Sequence, residues 1–462
     1  MQIYTASISH PDHNAPYAIL AVAATVYIYS YATVFGSVLL LAVYGLWFLP
    51  LLLRPSLFRF QVSDVFIYGL SLIALISTFW SVYPDLTLRG SIQLITTIAC
   101  AAIAAFVVSP YSLVRGLLIG CTITALHSYA VGTADMTDPD APLAGLFGSK
   151  NQLGLVAALG VLSMVALLLA YEHGRLMRLA ILGAGAVCGY ILYLAHSVTA
   201  LITMGAAIFV TLCIFMLGRL SPGMRTIVVP WTLVGAGLGL VLLTSFVSTA
   251  DVFQAVGKDP TLTGRTDIWD VGYEESQKFP VLGGGYQSFW VEGNPGAERI
   301  WAAFGIAEKS GFHFHNAFIQ VQVELGVVGL IAYTLMIVGI LFRLSLALFA
   351  SFVARRVLVY MIFTVFFLTR TTAEIDFYGQ FGIGTFIMYL IAVQTAHQLN
   401  SVKASVHMPM MIRRPRPVPP RPAPSPPPGT IPFPVEPAPA AGRAPRRPDA
   451  ASPRRPARDR PR

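Results

Sequence analysis

QLGLVAALGVLSMVALLLAY, residues 152–171, is a run of 20 residues without one charge. A helix rises about 1.5 Å per residue, so such a run crosses the roughly 30 Å hydrocarbon core of a bilayer. Outward from it, the same pattern recurs. Further apolar helices are expected near 17–34, 35–53, 62–82, 88–108, 112–132, 177–195, 198–217, 225–247, 316–342, 357–376 and 379–398. Residues 17–53 read either as a hairpin of two short helices or as one long tilted helix. The expected fold class is an all-α polytopic membrane protein with about 12 (11–12) transmembrane helices, one long structured external loop and a disordered C-terminal tail.

Composition agrees. Hydrophobic residues make up 55% of the chain and charged residues 11%, with a mean hydropathy of +0.66. A soluble domain carries about 25% charge. The formal charge of +9 is local, because residues 401–462 hold 13 Lys/Arg against 3 Asp/Glu, which leaves the rest of the chain at −1. No nucleic-acid-binding face is expected. Cys100, Cys121, Cys188 and Cys213 all lie in apolar runs with no CxxC pair, so they read as core residues and not as disulfides or metal ligands. Residues 1–16 lack Lys and Arg, and the apolar stretch after them is too long for a signal-peptide core, so no cleaved leader is expected.

Charge asymmetry sets the expected orientation. With residues 1–16 in the cytoplasm, Arg54, Arg115, Arg175, Arg219, Arg343 and Arg355 fall in cytoplasmic loops, and so does the tail 399–462. The membrane domain then spans 17–398, and its long loop 248–315 faces outside. Counting 17–53 as one helix moves the N-terminus outside but leaves every later loop on its side. The tail is rich in Pro and Arg and buries almost nothing, so it should be disordered against the inner leaflet.

The external loop is aromatic, with Trp269, Trp290, Trp301, Phe279, Phe289 and Phe304 among others. Residues 265–278 read as an amphipathic helix with Ile268, Trp269, Val271 and Gly272 near its buried side, begun by Thr263 or Gly264 and stopped by Pro280. Gly283-Gly284-Gly285 reads as a turn, since no GK[ST] follows to make a phosphate cradle. Asp267, Asp270, Glu274 and Glu275 have poor spacing for a metal, so none is expected. Glu374 and Asp376 fall near the external face, where a carboxylate needs a partner, and Arg370 stands one helical turn before Glu374 as its expected ion-pair partner.

Three polar strings stand out: FGSKNQLG (147–154), KDPTLTGRTDIW (258–269) and GFHFHNAFIQVQVELGVVG (311–329). With STFWSVYPDLTLRGS (77–91) and PVLGGGYQSFW (280–290), they resemble the O-antigen ligase and polymerase superfamily, in particular its ExoQ-like exopolysaccharide polymerases. The resemblance covers roughly residues 60–395, and the ten residues between His315 and Gly326 fit the family's spacing. One departure concerns AHSVTAL (195–201), where Val198 stands at a position that is often basic in such proteins. His196 is the neighbour that could substitute.

The resemblance implies a metal-independent glycosyltransferase without a cofactor, in a bacterial inner membrane with its active site on the periplasmic face. Its donor would be an undecaprenyl-diphosphate-linked saccharide, and the acceptor another lipid-linked repeat in a polymerase or lipid A-core in a ligase. A chain-length regulator and export proteins are candidate partners beyond the bilayer. The residues suit that chemistry. A sugar hydroxyl attacks an anomeric carbon while negative charge builds on the leaving diphosphate, so a fixed cation lowers the barrier. Arg265, near a helix start, offers a planar fork for phosphate, and His315 is the expected general base. Lys150, Asn151, Arg89, Asn316, Arg370 and Glu374 are expected to bind substrate. His313 is expected only to support. The bland readings are an interfacial cap for His315, a snorkelling side chain for Lys150, an ordinary helix-start residue for Arg89 and a structural ion pair for Arg370 with Glu374. A transporter or flippase fits less well, because midspan positions are apolar and polar residues gather at one face.

Overall fold

The computed structural model describes residues 7–57, 64–132, 141–221, 264–307, 312–350 and 355–406, with 223, 224, 228 and 309 besides. The expected helix 225–247, the loop segment 248–263 and the tail from 407 onward lie outside the described residues. Among the described residues all regular structure is helical and no strand occurs. Among the described residues, six helices are long and apolar enough to cross a membrane, and four further apolar helices are shorter. The protein is thus a multi-pass membrane protein.

The first two helices are α1 (Ala15–Ser30) and α2 (Ala32–Leu53). They are two helices and not one: the Tyr17 hydroxyl reaches the Leu46 carbonyl, and Trp47 donates to Thr25 Oγ1 at 2.8 Å, so α2 folds back on α1. Then follow α3 (Val65–Ile76), α4 (Pro84–Val107), α5 (Pro110–Val131), α6 (Lys150–Ala170), α7 (Arg175–Leu194) and α8 (Val198–Arg219). Local sequence explains several starts. Pro84 and Pro110 occupy first-turn positions where no N–H is missed. Ser109 and Ser197 cap α5 and α8 by accepting from backbone N–H groups. Close approach comes from small residues, as is common between membrane helices. Gly116 and Gly120 of α5, for example, leave no room for a methyl group against α1.

Between α8 and the last helices lies a small aromatic unit. It contains α9 (Arg265–Ser276) and α10 (Pro295–Phe304). Ile268, Phe289, Ile300 and Trp301 are buried in one cluster with Phe314, Ile319 and Val323, and Trp269 donates to the Phe314 carbonyl at 2.8 Å. Asn294 caps α10, and Gly264 precedes α9 in the left-handed region at φ 81°.

The chain then enters α11 (Ala317–Ala350), which is interrupted at Gly326 with φ 61° and ψ −163°. The break admits the loop 280–285. Val327 and Val328 donate to the Pro280 and Val281 carbonyls, and Gly284 and Gly285 donate to those of Val323 and Glu324. A Cβ on Gly326 would lie 2.3 Å from the Val281 carbonyl oxygen. The three-glycine turn therefore docks into a helix opened to receive it.

The final helices are α12 (Arg355–Arg370) and α13 (Ile383–Val406). The sequence reading runs the first of these to 376, but it ends at Arg370. Thr371 and Thr372 turn their hydroxyls onto the Leu368 and Thr369 carbonyls, and the Thr371 carbonyl is taken by the Ala317 N–H at 2.8 Å. That leaves Glu374 and Asp376 in a connector instead of a helix. Gly326→Ala is expected to lower the midpoint of thermal unfolding in detergent markedly, because strain from positive φ (of order 1–3 kcal/mol) adds to the steric clash. Gly205→Ala, whose Cβ meets nothing within 4 Å, should leave it unchanged. Equal midpoints for the two variants would contradict the role given to the break.

Candidate active site

Helix ends converge on one carboxylate. Glu374, in the connector after α12, keeps 5% of its side-chain surface exposed. Its Oε1 accepts from Arg265 Nη2 at 3.1 Å and from Asn151 Nδ2 at 3.1 Å. Its Oε2 faces His315 Nδ1 at 3.4 Å and His313 Nε2 at 3.6 Å. Arg265 opens α9, Asn151 lies in the first turn of α6, and both histidines precede α11. Asn151 is itself held by Ser197, whose hydroxyl donates to Asn151 Oδ1 at 3.1 Å. Gly154 permits this, because a Cβ there would lie 2.5 Å from Ser197 Cβ.

The two histidines are unequal. His313 Nδ1 accepts the His315 backbone N–H at 3.0 Å, so that nitrogen carries no proton and Nε2–H points toward Glu374. Burial, reinforced by His315, pushes the His313 imidazole down to about 3, so it is neutral near pH 7. Its ring still keeps 18% of its surface exposed, and water there moderates the shift. The same hydrogen bond holds His315 in the left-handed region at φ 51°. His315 Nδ1 approaches Glu374 obliquely, and this buried nitrogen makes no formed hydrogen bond. Burial alone would push the Glu374 carboxyl up, but His315, His313 and Arg370 outweigh it and hold it at about 2. Burial pulls the Arg265 guanidinium down from its usual value while Glu374 opposes the change.

The sequence reading pairs Arg370 with Glu374, but the structure pairs it otherwise. Arg370 Nε and Nη2 both donate to the Asp376 carboxylate. With α12 ending at Arg370, the connector turns back so that Asp376 and not Glu374 meets the guanidinium. Asn316 caps α11, its Oδ1 accepting from the Phe318 and Ile319 N–H groups at 3.0 and 3.3 Å. Lys150 is half-buried at the start of α6, next to Asn151. Arg89 is exposed on α4, and its neighbour Gly90 is packed on Gln287. The structure thus brings Arg265, His315 and Asn151 onto Glu374 and sets Arg370 beside them. His196 is exposed, with its ring 6.0 Å from that of Tyr193. Sequence reasoning missed Ser197 and Gln380. Gln380 exchanges hydrogen bonds with Gln287 and lines the same cavity as Glu374. Only the glycines around it in YGQFG hint at its position.

Metal binding has one geometric candidate among the described residues. Ligand atoms of His313, His315 and Glu374 lie within 4.8 Å of one another. The chemistry argues against a cation there. Arg265 already holds the carboxylate, Arg370 adds a second positive charge nearby, and His313 Nδ1 is taken by backbone. Glu274 and Glu275 instead pair with Arg299 and Lys278.

Acid should destabilise the site in two steps. His313 has a folded pKa below its unfolded value near 6.5, so the unfolded chain binds the extra proton and stability is lost as pH falls from 6.5 toward 3. Glu374, held at about 2 against an ordinary 4.5, adds a loss as pH falls below 4.5. His313→Gln is expected to flatten the dependence of the thermal midpoint between pH 6.5 and 4.5. A slope in that window as steep as the wild type's would count against the neutral, buried assignment.

Comparison with known proteins fits this geometry. The sequence profile of a family described as O-antigen ligase matches residues 183–334, a span that includes Ser197, Arg265, His313 and His315. The exopolysaccharide production protein ExoQ of Rhizobium meliloti (strain 1021) is 35% identical over 398 residues, covering 85% of this chain and 91% of the relative. The relative's coverage extends over most of the membrane helices, well beyond the profile's match. With a shared length of that extent, the chain belongs to the O-antigen ligase family, on its ExoQ-like side.

Proposed function

We propose that this protein is a membrane glycosyltransferase that joins undecaprenyl-diphosphate-linked oligosaccharide repeats into exopolysaccharide at the outer face of the inner membrane. The observation that carries the reading is the contact of Glu374 with both Arg265 and His315. On this reading the contact sets a phosphate-binding cation and a base on one carboxylate. The name of the ExoQ relative favours exopolysaccharide over other products. Transfer of a lipid-linked polysaccharide to lipid A-core, the ligase reaction, is the second reading, favoured by the description of the family profile.

The reaction follows from the roles. Glu374 Oε2, 3.4 Å from His315 Nδ1, would hold the proton on that nitrogen once the contact tightens, leaving Nε2 as the basic lone pair. This is the arrangement by which a carboxylate orients a catalytic imidazole. Contacts of this kind are often long before substrate binds and tighten afterwards. An acceptor hydroxyl gives its proton to Nε2 as its oxygen bonds to the donor's anomeric carbon. The bond from that carbon to the diphosphate oxygen breaks, and undecaprenyl diphosphate leaves with the electron pair. Arg265 stabilises the charge that develops on it. Apart from Nη2, the Arg265 guanidinium N–H groups have no partner among the described residues, so they are available to phosphate oxygens. His313 shapes the His315 backbone, and Asn151 fixes the carboxylate.

In purified protein given a lipid-linked repeat, His315→Ala should slow transfer by about 10²–10⁴-fold. Glu374→Gln should slow it too, and the double variant should be scarcely worse than His315→Ala, because the two residues act as a unit. Multiplicative losses would mean that Glu374 does not act through His315. EDTA should leave turnover intact, and a loss restored by adding back a divalent ion would turn the histidine–glutamate trio into a metal site. Polymer formed from repeats alone supports the polymerase, whereas transfer only to lipid A-core supports the ligase. A topology reporter fused after residue 290 should read outside and one after residue 350 inside. Both reading one side would overturn the orientation.

A further inference from the structure

Away from the carboxylate site, α5 and α7 run side by side over α6 and leave a groove of about 270 Å3 between them. Its walls are helical stripes. Arg115, Leu118 and Ile119 of α5 stand at the i, i+3, i+4 spacing of one helix face, and Met177, Ala180 and Ile181 of α7 repeat it. The outer sides of both helices are apolar and exposed, at Ile119, Ile123, Leu179 and Leu182 among others. On spanning helices such a surface faces lipid, so the groove opens to the bilayer.

Arg115 is the one charged side chain among the groove's described lining. It is half-buried in the second turn of α5, and its guanidinium lies over the Tyr111 ring at 5.3 Å. Tyr111 is packed in turn against Tyr171 and His173, at 4.8 and 6.1 Å between ring centroids. These contacts hold the cation at the rim of the groove, where α5 begins and α6 ends. Its N–H groups make no hydrogen bond or ion pair with a described residue. Arg175 and Arg178 are exposed in the first turn of α7, and Glu172, also exposed, is the acid nearest them in sequence. A charged side chain on a spanning helix is costly unless an opposite charge or water meets it.

We propose that this groove binds one acyl chain of an anionic glycerophospholipid, with the lipid phosphate on Arg115. The site is separate from glycosyl transfer and does not rest on it. Its size fits the chain. From Arg115 to Ile123 the stripe runs about 12 Å, close to the roughly 15 Å that is half of a bilayer's hydrocarbon core. The volume falls below the roughly 300–1,000 Å3 of sites that enclose a small ligand. It takes a chain and leaves the headgroup at the rim, as basic pockets between membrane helices do with anionic lipids. There the guanidinium fork meets two phosphate oxygens at once. A zwitterionic lipid would bring its own cation to a rim that already carries Arg115, Arg175 and Arg178. A polyprenyl carrier is far longer than the stripe, and its diphosphate is assigned to Arg265, which meets Glu374 and Asn151 at the other end of α6. An arginine that merely snorkels selects no lipid, whereas the stack on Tyr111 keeps this one at the groove.

Native mass spectrometry of the full chain, released from nanodiscs of equal parts phosphatidylglycerol and phosphatidylethanolamine with matched acyl chains, tests this. The wild type should retain phosphatidylglycerol over phosphatidylethanolamine by at least about fivefold, the factor expected of one basic contact near an anionic surface. Arg115→Ala should lower that preference about fivefold. Ala180 lines the groove and is exposed, so Ala180→Phe fills the groove from its open side and should lower the preference as much. Should Arg115→Ala fail to fold, Ala180→Phe carries the test. The basic tail is present in every sample, so its lipid contacts cancel in the comparison. Arg219, which also lies over a ring, that of Phe215 at 4.7 Å in the last turn of α8, is the matched control, and Arg219→Ala should keep the wild-type preference. A wild type without preference, or an unchanged preference in either folded groove variant, overturns the proposal. An equal loss in Arg219→Ala would make the preference a general effect of surface charge and overturns it too. Undecaprenyl phosphate that displaces phosphatidylglycerol from the wild type at about one-tenth of its amount would assign the groove to the carrier lipid, with the same consequence.

Discussion

A carboxylate buried among helix ends is the constraint on which the rest of the structure turns. Glu374 keeps 5% of its side-chain surface, and an unpaired charge at such depth is too costly for a folded protein to carry. Folding must therefore deliver Arg265 and Asn151 to it, from segments 109 and 223 residues away. The two histidines arrive with them. Assembly of the reactive groups is in this way a condition of folding, and not an addition to a finished scaffold. The arrangement also sets the charge state of the pair. An ionised carboxylate beside a neutral His313 and an oriented His315 is suited to accept a proton at the far nitrogen of the latter.

What holds these groups in register is a second set of contacts. The aromatic unit around Trp301 and Phe314 ties α9 and α10 to the start of α11. The break at Gly326 lets the loop 280–285 bond to both sides of it. From there polar contacts continue inward. Trp290 donates to Gln320, Gln320 to Glu324, and Tyr378 to Glu324 at 2.8 Å. Tyr286 and Gln287 reach Gln380 in the connector. The loop between the helices is thereby attached to the segment that carries Glu374 and Asp376, by bonds that stay strong where water is scarce.

Much of this was legible in the chain. Apolar runs located the described helices but not their ends: α11 runs to 350 against an expected 342, and α12 stops at 370 against 376. Spanning length is a coarse constraint that composition alone satisfies. Arg265 and His315 stood out because each is a polar exception beside a helix start. The alternation of spans also put KNQ, GRT and HFHN on one side. The partner of Arg370 could not be read. An i,i+4 rule holds only while the helix continues, and α12 ends at Arg370, where the Thr371 carbonyl is captured by Ala317, a residue far away in sequence. Asn316 was read as a substrate-binding residue, and its Oδ1 also caps α11. Asn at a helix start serves either purpose, and sequence does not separate them. Ser197 and Gln380 act through contacts across 46 and 93 residues, for which a single sequence carries no signal.

Backbone strain gives the last step. Non-glycine residues held at positive φ cost about 1–3 kcal/mol and persist where surrounding contacts impose them. His315, Gln287 and Phe381 are three of the five such residues among the described ones. The first touches Glu374, the second is bonded to Gln380, and the third lines the cavity. In each case a hydrogen bond near the strained residue holds it: His313 accepts from the His315 N–H, the Gln287 and Gln380 amides hold each other, and the Phe381 N–H donates to Thr97. The contacts that fix these conformations lie in the connector, in α4 and in the loop before α11, so the strain is borne by the fold and not by a ligand. A site built this way is formed before substrate arrives. In the proposed reaction its groups would need little reorganisation as charge moves from the acceptor hydroxyl to the diphosphate, and fixed dipoles of that kind contribute most where solvent is excluded.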